Sequence, residues 1–187
     1  MEFRKLRLDG LLEIRPVMHA DDRGYFAELF RQDRIAAWAG PVQFVQENQS
    51  LNRHAGTVRG LHFQDEPCAQ GKLVRCARGA VFDVAVDLRA GSPTYGQWDA
   101  IELNAQAGNQ VWIPAGFAHG FCTLVPDTVL CYKVTAYYDA AHDRGVAWND
   151  PAIGIAWPSL ANPDLLSPKD GAQPRLADLP ALFDAEV

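Results

Sequence analysis

The chain has 187 residues, of which 48% are hydrophobic and 21% charged, so it suits one folded domain over residues 1–187 and is unlike disordered chains. Its formal net charge of −6 argues against nucleic acid as a partner, because nucleic-acid binding needs a basic surface. No apolar run reaches the about 18 residues of a membrane span, and the N-terminus lacks a secretory signal pattern, so we expect a cytoplasmic protein without membrane contacts.

The predicted elements are mostly short strands separated by turns. Residues 32–39 favour a short helix, with Ile35, Ala36 and Trp38 on its apolar side. Strands are predicted at 72–78, 81–88, 110–113, 120–125 and 129–135. From about residue 158 the chain becomes a loop rich in Pro and Asp, and Pro180 favours a last short helix at 180–185. So many short strands with so little helix indicate an all-β sandwich or barrel.

The strand at 81–88 shows the clearest alternation of side chains. One set is entirely apolar and consists of Phe82, Val84, Val86 and Leu88. The other set mixes Val81 and Ala85 with Asp83 and Asp87. This pattern is typical of a barrel or sandwich wall, in which the two faces meet different surroundings. The sequence leaves open whether the two aspartates have a structural role or a role in a site.

Other residues that could ligate a metal show no spacing typical of a metal or redox motif. The cysteines at 68, 76, 122 and 131 form no C-x-x-C pair, so we expect buried, reduced thiols. His19, His54 and His142 lie in polar, loop-like sequence, and we expect no functional role for them.

Two stretches resemble the signatures of the cupin barrels. The stretch Pro114–Ala–Gly–Phe–Ala–His119 is similar to the second cupin signature, and Gly60–Leu–His–Phe–Gln64 lies where the first is found. Metal-binding cupins have a second His at the position of Gln64. Two His and a neutral amide make a poor site for a transition metal. We therefore expect a jelly-roll barrel that works without metal or any other cofactor.

The polar residues of these predicted strands suit proton abstraction next to a carbonyl. Proton abstraction at neutral pH calls for a base such as histidine, and His62 is a candidate. Lys72 or His119 could stabilise the enolate oxygen, and Tyr132 is a plausible proton donor. A carboxylate would be needed to orient the histidine.

The chain resembles the dTDP-4-dehydrorhamnose 3,5-epimerase family over about residues 20–170. Matching stretches, such as Asp22–Arg–Gly–Tyr–Phe–Ala–Glu28 and Leu166–Ser–Pro–Lys–Asp170, follow one another in the family's order. Further matches lie at 46–50, 59–64, 71–75, 83–89, 92–96, 113–121, 132–133 and 150–151. The resemblance implies a cupin-type double-stranded β-helix and an epimerase that inverts C3 and C5 of dTDP-4-dehydro-6-deoxy-glucose.

The resemblance also implies roles for individual residues. His62 is expected to remove the protons, with Asp170 as its carboxylate partner. Lys72 is expected to stabilise the enolate, and Tyr132 to return a proton from the opposite face. The expected contacts to nucleotide, diphosphate and sugar are Arg23, Phe26, Glu28, Gln46, Asn48, Arg59, His119, Tyr138, Asp143 and Lys169. The family forms homodimers with crossed N-terminal strands, so Arg23 and Glu28 could serve the site of the partner subunit.

Three other functions compete with this interpretation. The first is a mono-epimerase that inverts C3 or C5 alone in a related dTDP-4-keto sugar. The second is a cupin that binds a nucleotide sugar without turnover, and the third is a metal-dependent cupin such as a dioxygenase. The chain departs from the family pattern at Asn52, Asp143 and the pair Thr57–Val58, which affects ligand preference rather than the reaction type.

Overall fold

The computed structural model describes residues 1–184, which form two large antiparallel β-sheets that pack face to face. The strands are β1 (Glu2–Lys5), β2 (Leu12–Arg15), β3 (His19–Asp21), β4 (Gly24–Phe26), β5 (Gln46–Asn52), β6 (Val58–Gln64), β7 (Lys72–Arg78), β8 (Ala80–Asp87), β9 (Arg89–Ala90), β10 (Trp98–Asn104), β11 (Gln110–Ile113), β12 (Phe117–Thr123), β13 (Thr128–Val134), β14 (Asp143–Gly145) and β15 (Phe183–Asp184). The helices are α1 (Gln32–Ala39) and α2 (Pro168–Gly171), with 3-10 turns at Pro163–Leu165 and Leu176–Asp178. None of the helices in this part of the chain is long and apolar enough to cross a membrane.

The strand order identifies a jelly-roll barrel of the cupin type. The larger sheet has the order β1-β2-β11-β7-β13-β5, and the smaller has β10-β8-β12-β6-β14. From β5 onward, most strands that follow one another in sequence, such as β6 and β7, lie in different sheets, because the chain winds around the barrel. The predicted all-β fold class is confirmed.

Most of the predicted elements lie where the sequence places them. The helix at 32–39 and the strands at 72–78 and 110–113 agree with α1, β7 and β11. The other three predicted strands are shifted by one to three residues. The predicted helix at 180–185 is wrong over the described residues, because Phe183 is buried on the sheet and pairs in parallel with Arg89 of β9; Ala185 lies outside them.

Both faces of the smaller sheet are buried, and its apolar face points away from the barrel interior. Val84, Val86 and Leu88 pack beneath the C-terminal segment, which contributes Ile153, Leu176 and Phe183. The mixed face of β8, with Val81 and Ala85, packs into the barrel core. The Pro-rich tail is therefore a cover for the sheet. It also contains α2, which the sequence analysis placed in a loop.

The larger sheet is covered on its outer side by α1. Ile35 is the buried residue of this helix, and it packs on Leu12, Leu73 and Trp112. Inside the barrel, apolar side chains fill the end formed by β10 and β11. Polar side chains of β5, β6, β7, β12 and β13 line the remaining interior, which is where the cavity described below lies.

Candidate active site

A cavity of about 330 Å³ opens between the two sheets, and it gathers most of the residues predicted for the site. Its lining includes ten of them: Gln46, Asn48, Arg59, His62, Lys72, His119, Tyr132, Tyr138, Asp143 and Lys169. Ser50, Phe63, Gln64, Gln70, Gly120 and Phe121 complete the lining. The predicted residues therefore come from both sheets and from the loops at the rim.

His62 and Asp170 form a hydrogen-bonded pair at one wall of the cavity. His62 lies on β6, and its Nε2 is 2.5 Å from Oδ1 of Asp170 on α2. The side chain of Ser167 caps this short helix by accepting from the backbone N–H of Asp170 at 3.1 Å. Because the carboxylate accepts from Nε2, Nδ1 of His62 keeps the lone pair that a base needs.

Asp170 remains ionised although it is 4% exposed. Burial alone would raise the pKa of its carboxyl group, but hydrogen bonds from His62 and Ser167 and the charge of His62 outweigh burial and lower it. A permanent carboxylate stabilises the protonated form of His62, as a base that takes up a proton requires.

A second histidine–aspartate pair lies beside the first. His119 is the direct cross-strand neighbour of His62, so both imidazoles point to the same side of the sheet. Nε2 of His119 is 3.0 Å from each carboxylate oxygen of Asp83 on β8, and both residues are buried. Asp83, which the sequence analysis left undecided, therefore orients His119.

Two glycines allow β6 and β12 to approach closely beside these histidines. A Cβ on Gly60, whose φ is +126°, would lie 2.5 Å from the Cα of Gly120. A Cβ on Gly120 would lie 2.8 Å from the carbonyl oxygen of Arg59. The register between the strands shifts between His119 and Phe121, and such irregularities redirect side chains near functional sites.

Lys72 is buried at the start of the central strand β7 instead of lying at a solvated edge. Its Nζ reaches across to the smaller sheet and donates to the carbonyl oxygen of His62 at 3.0 Å. Burial lowers the pKa of Lys72 to about 8, although Asp83 and Asp143 act in the opposite direction. A poorly solvated ammonium group is strongly attracted to any negative charge that develops near it.

Tyr132 enters the cavity from the sheet opposite to His62. It lies on β13 of the larger sheet, and its ring packs against the apolar barrel core. Burial raises the pKa of its hydroxyl, while the charge of Arg59 acts against that effect. The hydroxyl therefore stays protonated at neutral pH and can donate a proton.

Arg59 is the cation best prepared for an anionic ligand. Its Nε donates to Oδ1 of Asn52 at 2.7 Å, and Asn52 is itself fixed by donating to the carbonyl oxygen of Thr128 at 3.2 Å. Among the described residues, Arg59 forms no ion pair. A guanidinium group held by a neutral amide keeps its charge available for phosphate oxygens.

A network of polar side chains surrounds the mouth of the cavity. Asp143 accepts hydrogen bonds from the Tyr138 hydroxyl, at 3.0 Å, and from the ammonium group of Lys169. Gln46 accepts from the backbone N–H of Tyr138 at 3.0 Å and donates to Asn48 at 2.8 Å. The network joins β5, β14 and α2 around the cavity mouth.

The side chain of Gln64, at the position of the second cupin histidine, forms its hydrogen bonds with backbone groups. Its Nε2 donates to the carbonyl oxygens of Cys68 and Tyr137, at 2.7 and 3.1 Å. Its Oε1 accepts from the backbone N–H of Asp139 at 2.8 Å. The side chain therefore fixes two loops, and it does not fit the role of a metal ligand inside the barrel.

Three predicted ligand contacts lie away from the cavity in the single chain. Arg23 and Phe26 belong to the exposed hairpin β3–β4, and Glu28 follows it. The guanidinium of Arg23 pairs with Asp21, and 73% of Phe26 is exposed. These three residues line no part of the cavity described above.

Sequence reasoning missed Asp83 and Asn52 as supports of the site. Asp83 could have been found as one of two aspartates in a strand that is otherwise apolar. Asn52 was recognised only as a departure from the family pattern, and its contact with Arg59 depends on how β5 and β6 pack together. Ser50 could have been found by its alternation with Gln46 and Asn48 in β5, whereas Gln70 lies in a loop that offers no such pattern.

Comparison with known proteins links this geometry to one family. The family model described as dTDP-4-dehydrorhamnose 3,5-epimerase matches residues 5–178. A dTDP-4-dehydrorhamnose 3,5-epimerase of Sinorhizobium fredii is 57% identical over 183 residues, covering 98% of this chain and 93% of the relative. A dTDP-4-dehydrorhamnose 3-epimerase of Streptomyces niveus is 44% identical over 91% of this chain and 81% of the relative.

A solved structure extends the similarity to three dimensions. The dTDP-6-deoxy-D-glucose-3,5-epimerase of Legionella pneumophila, in complex with dTDP-4-keto-L-rhamnose, superposes with a TM-score of 0.93 at 39% identity. The match covers 100% of this chain and 99% of that one. The whole jelly roll, including its C-terminal cover, is therefore shared.

Proposed function

The chain belongs to the dTDP-4-dehydrorhamnose 3,5-epimerase family, and we propose that it inverts C3 and C5 of dTDP-4-dehydro-6-deoxy-glucose with His62 as base and Tyr132 as acid. The product is dTDP-4-dehydro-L-rhamnose. The observation that carries the proposal is the hydrogen bond from His62 of the smaller sheet to Asp170 of α2, with the Tyr132 hydroxyl entering from the larger sheet. A base and an acid on facing walls suit a reaction that inverts carbon centres.

The first step is removal of a proton next to the ketone. Nδ1 of His62 takes the proton from C5 or C3, and the electron pair of the broken C–H bond moves into the ketone to form an enolate. Asp170 stabilises the imidazolium that results. The negative charge on O4 faces the ammonium group of Lys72, with His119 nearby.

The second step returns a proton to the opposite face of the same carbon. The electron pair of the enolate re-forms the C–H bond with the proton of the Tyr132 hydroxyl. His62 loses its own proton to solvent, and the tyrosinate regains one from solvent. Neither step needs an oxidant or an added group, because the reactant and product are isomers.

The proposal is tested by following solvent deuterium in the substrate. The enzyme is incubated with dTDP-4-dehydro-6-deoxy-glucose in deuterated water, and label at C3 and C5 is followed by NMR. We expect label and inversion at both carbons. His62→Asn should stop both, whereas Tyr132→Phe should still admit label and lose most of the inversion, since it keeps the base and lacks the acid.

Matched control variants separate these effects from general damage. His54→Asn and Tyr95→Phe make the same chemical changes at residues outside the cavity lining and outside the hairpin β3–β4, and both should behave as the unmodified enzyme. Equal loss of labelling in Tyr132→Phe and His62→Asn would contradict the assignment of separate base and acid. Binding without any label in the unmodified protein would favour a cupin that binds nucleotide sugars without turnover.

One relative favours the narrower reaction as a second candidate. The Streptomyces niveus relative, at 44% identity, is a dTDP-4-dehydrorhamnose 3-epimerase, so similar chains differ in the number of carbons that they invert. The same labelling experiment decides the question. Label and inversion confined to C3 would assign this chain to the mono-epimerases.

We propose further that the chain, as a single domain over 1–187, forms a homodimer in which the hairpin β3–β4 reaches the partner's cavity. The support is the exposure of Arg23 and Phe26 away from the cavity of their own chain. An arginine and an aromatic side chain would suit the diphosphate and the nucleobase of the ligand.

We also propose a cytoplasmic location. The four cysteines of the described residues are free thiols, which supports it.

Mixing two inactive variants tests the strand exchange. His62→Asn loses its base, and Arg23→Ala loses the proposed diphosphate contact. If the hairpins are exchanged, a mixed dimer contains one site with both residues intact, so mixing should restore activity. If each hairpin serves its own chain, both sites of the mixed dimer stay defective and no activity returns.

A further inference from the structure

Three side chains that can ligate a metal meet at the rim of the barrel, outside the site described above. Cys68 lies in the loop between β6 and β7, and Asp139 and His142 lie in the segment between β13 and β14. One ligand atom of each lies within 4.8 Å of the others. These three residues are called the rim cluster below.

The spacing of the rim cluster is close to that around a bound zinc ion. Zn–S and Zn–O bonds of about 2.3 and 2.0 Å in a tetrahedral site place the sulfur and oxygen about 3.5 Å apart. Sγ of Cys68 is 3.8 Å from Oδ2 of Asp139. Small side-chain rotations would therefore bring the ligands to bonding distance.

His142 is oriented as histidine ligands of metals usually are. Its Nδ1 is 2.7 Å from Oδ1 of Asp65, and the other carboxylate oxygen of Asp65 is 3.0 Å from Nε of Arg144. Nδ1 donates to the carboxylate, so the lone pair of the ring is on Nε2. A carboxylate behind a histidine in this way fixes the tautomer and strengthens the nitrogen as a ligand.

The backbone that carries the rim cluster is held from several directions. Gln64 binds the carbonyl oxygen of Cys68 and the N–H of Asp139, and the N–H of Asp65 donates to the carbonyl oxygen of His142 at 3.1 Å. Oδ1 of Asp139 accepts from the N–H of Ala141 at 2.8 Å, which leaves Oδ2 directed at Cys68. The backbone segments that carry Cys68, Asp139 and His142 are thus held close together before any ion binds.

The charge around the rim cluster also favours a cation. The carboxylate of Asp139 lies 3.8 Å from Sγ of Cys68, and the carboxylate of Asp65 lies 2.7 Å from Nδ1 of His142. Two carboxylates therefore lie within or next to the rim cluster. A divalent cation would reduce the repulsion among these groups.

We propose that the rim cluster binds one zinc-class divalent cation through Cys68 Sγ, an Asp139 carboxylate oxygen and His142 Nε2, with solvent as the fourth ligand. The thiolate favours zinc over magnesium or calcium, which prefer oxygen ligands. The ion connects two segments, namely the loop that precedes Lys72 and the segment that contains Tyr138. The site lies outside the barrel interior, for which the sequence predicts no metal, and it gives His142 a role that the sequence did not indicate.

The test is a cobalt titration of metal-stripped protein, followed by displacement with zinc. We expect one equivalent of Co²⁺ to produce a thiolate-to-cobalt charge-transfer absorption, and one equivalent of Zn²⁺ to remove it. Cys68→Ser should abolish the absorption and weaken zinc binding at least about ten-fold. Asp65→Asn should weaken it about 10- to 100-fold, since it removes the support of His142.

Two controls place the ion at the rim cluster. Cys131→Ser makes the same change at a buried thiol on β13, and His62→Asn removes the histidine of the cavity; both should bind cobalt as the unmodified protein does. Circular dichroism checks that each variant is folded, and His142→Gln replaces Cys68→Ser if the latter is not. The absence of charge transfer in the unmodified protein, or its loss in a control, would overturn the proposal.

Discussion

Replacing Lys72 by Met should stabilise the protein while it removes the epimerase activity. Lys72 is 7% exposed, and burial lowers its pKa from 10.5 to about 8. The difference of about 2.5 pH units, at about 1.36 kcal/mol each, corresponds to about 3.4 kcal/mol. At neutral pH the folded protein therefore keeps a charged ammonium group at a substantial cost in free energy.

The net gain is smaller, because the substitution also removes a hydrogen bond. The Nζ of Lys72 donates to the carbonyl oxygen of His62, and such a bond contributes about 1 kcal/mol. Met retains most of the volume of the Lys side chain without its charge. We expect the free energy of unfolding at pH 7 to rise by about 2 kcal/mol.

The pH dependence gives the sign of the effect independently. The pKa of Lys72 is lower in the folded than in the unfolded chain, so the destabilisation is complete below pH 8 and disappears as the pH rises through 10.5. From these pKa values, the charge effect falls from about 3.3 kcal/mol at pH 7 to about 1.4 kcal/mol at pH 9.5. The advantage of Lys72→Met should therefore narrow by about 2 kcal/mol over this range.

Urea unfolding of the unmodified protein and the variant at both pH values measures this advantage. Lys5→Met, on an exposed strand, is the matched control and should change the free energy of unfolding by less than about 0.5 kcal/mol. The reasoning is refuted if Lys72→Met is no more stable than the unmodified protein at pH 7. A stability difference that stays constant between the two pH values would also refute it.

Three further outcomes are expected. Because Lys72 loses its charge as the pH rises through about 8, kcat/KM should fall above that pH. Any activity that Lys72→Arg retains should extend to higher pH. If kcat/KM fell at the same alkaline pH in both proteins, Lys72 would be excluded as the cause of the fall. Asp170→Asn should lower kcat by about 10²- to 10⁴-fold at nearly constant KM in an NMR assay, and a loss below ten-fold would mean that the carboxylate is dispensable. Asn52→Ala should raise KM about ten-fold at nearly constant kcat, because Arg59 loses its support; a loss confined to kcat would contradict a role in ligand binding.

The sequence predicted which residues line the cavity better than it predicted the contacts between them. The alternation within β6 places His62 and Gln64 on one face, and both line the cavity. The alternation within β13 likewise places Tyr132 on the face of Leu130, which packs in the barrel core. Alternation is a local property of the extended chain, so the sequence reports it directly.

Partners that are distant along the chain could not be predicted in this way. Asp170 approaches His62 across 108 residues, and Asp83 approaches His119 across 36. The sequence suggested Asp170 through family resemblance alone, and it left Asp83 undecided. Such contacts depend on how α2 and β8 pack beside β6 and β12.

The all-β class, most strand positions and the types of reactive side chain could be predicted before the structure was known, because they follow from local alternation, turn residues and motifs. Two features could be known from the tertiary structure alone: which face of β8 points into the barrel and which lies under the C-terminal cover, and how Lys72 becomes buried. Those outcomes depend on burial by segments far along the chain, here the C-terminal cover and the opposite sheet. The removal of water by packing is also what lowers the pKa of Lys72.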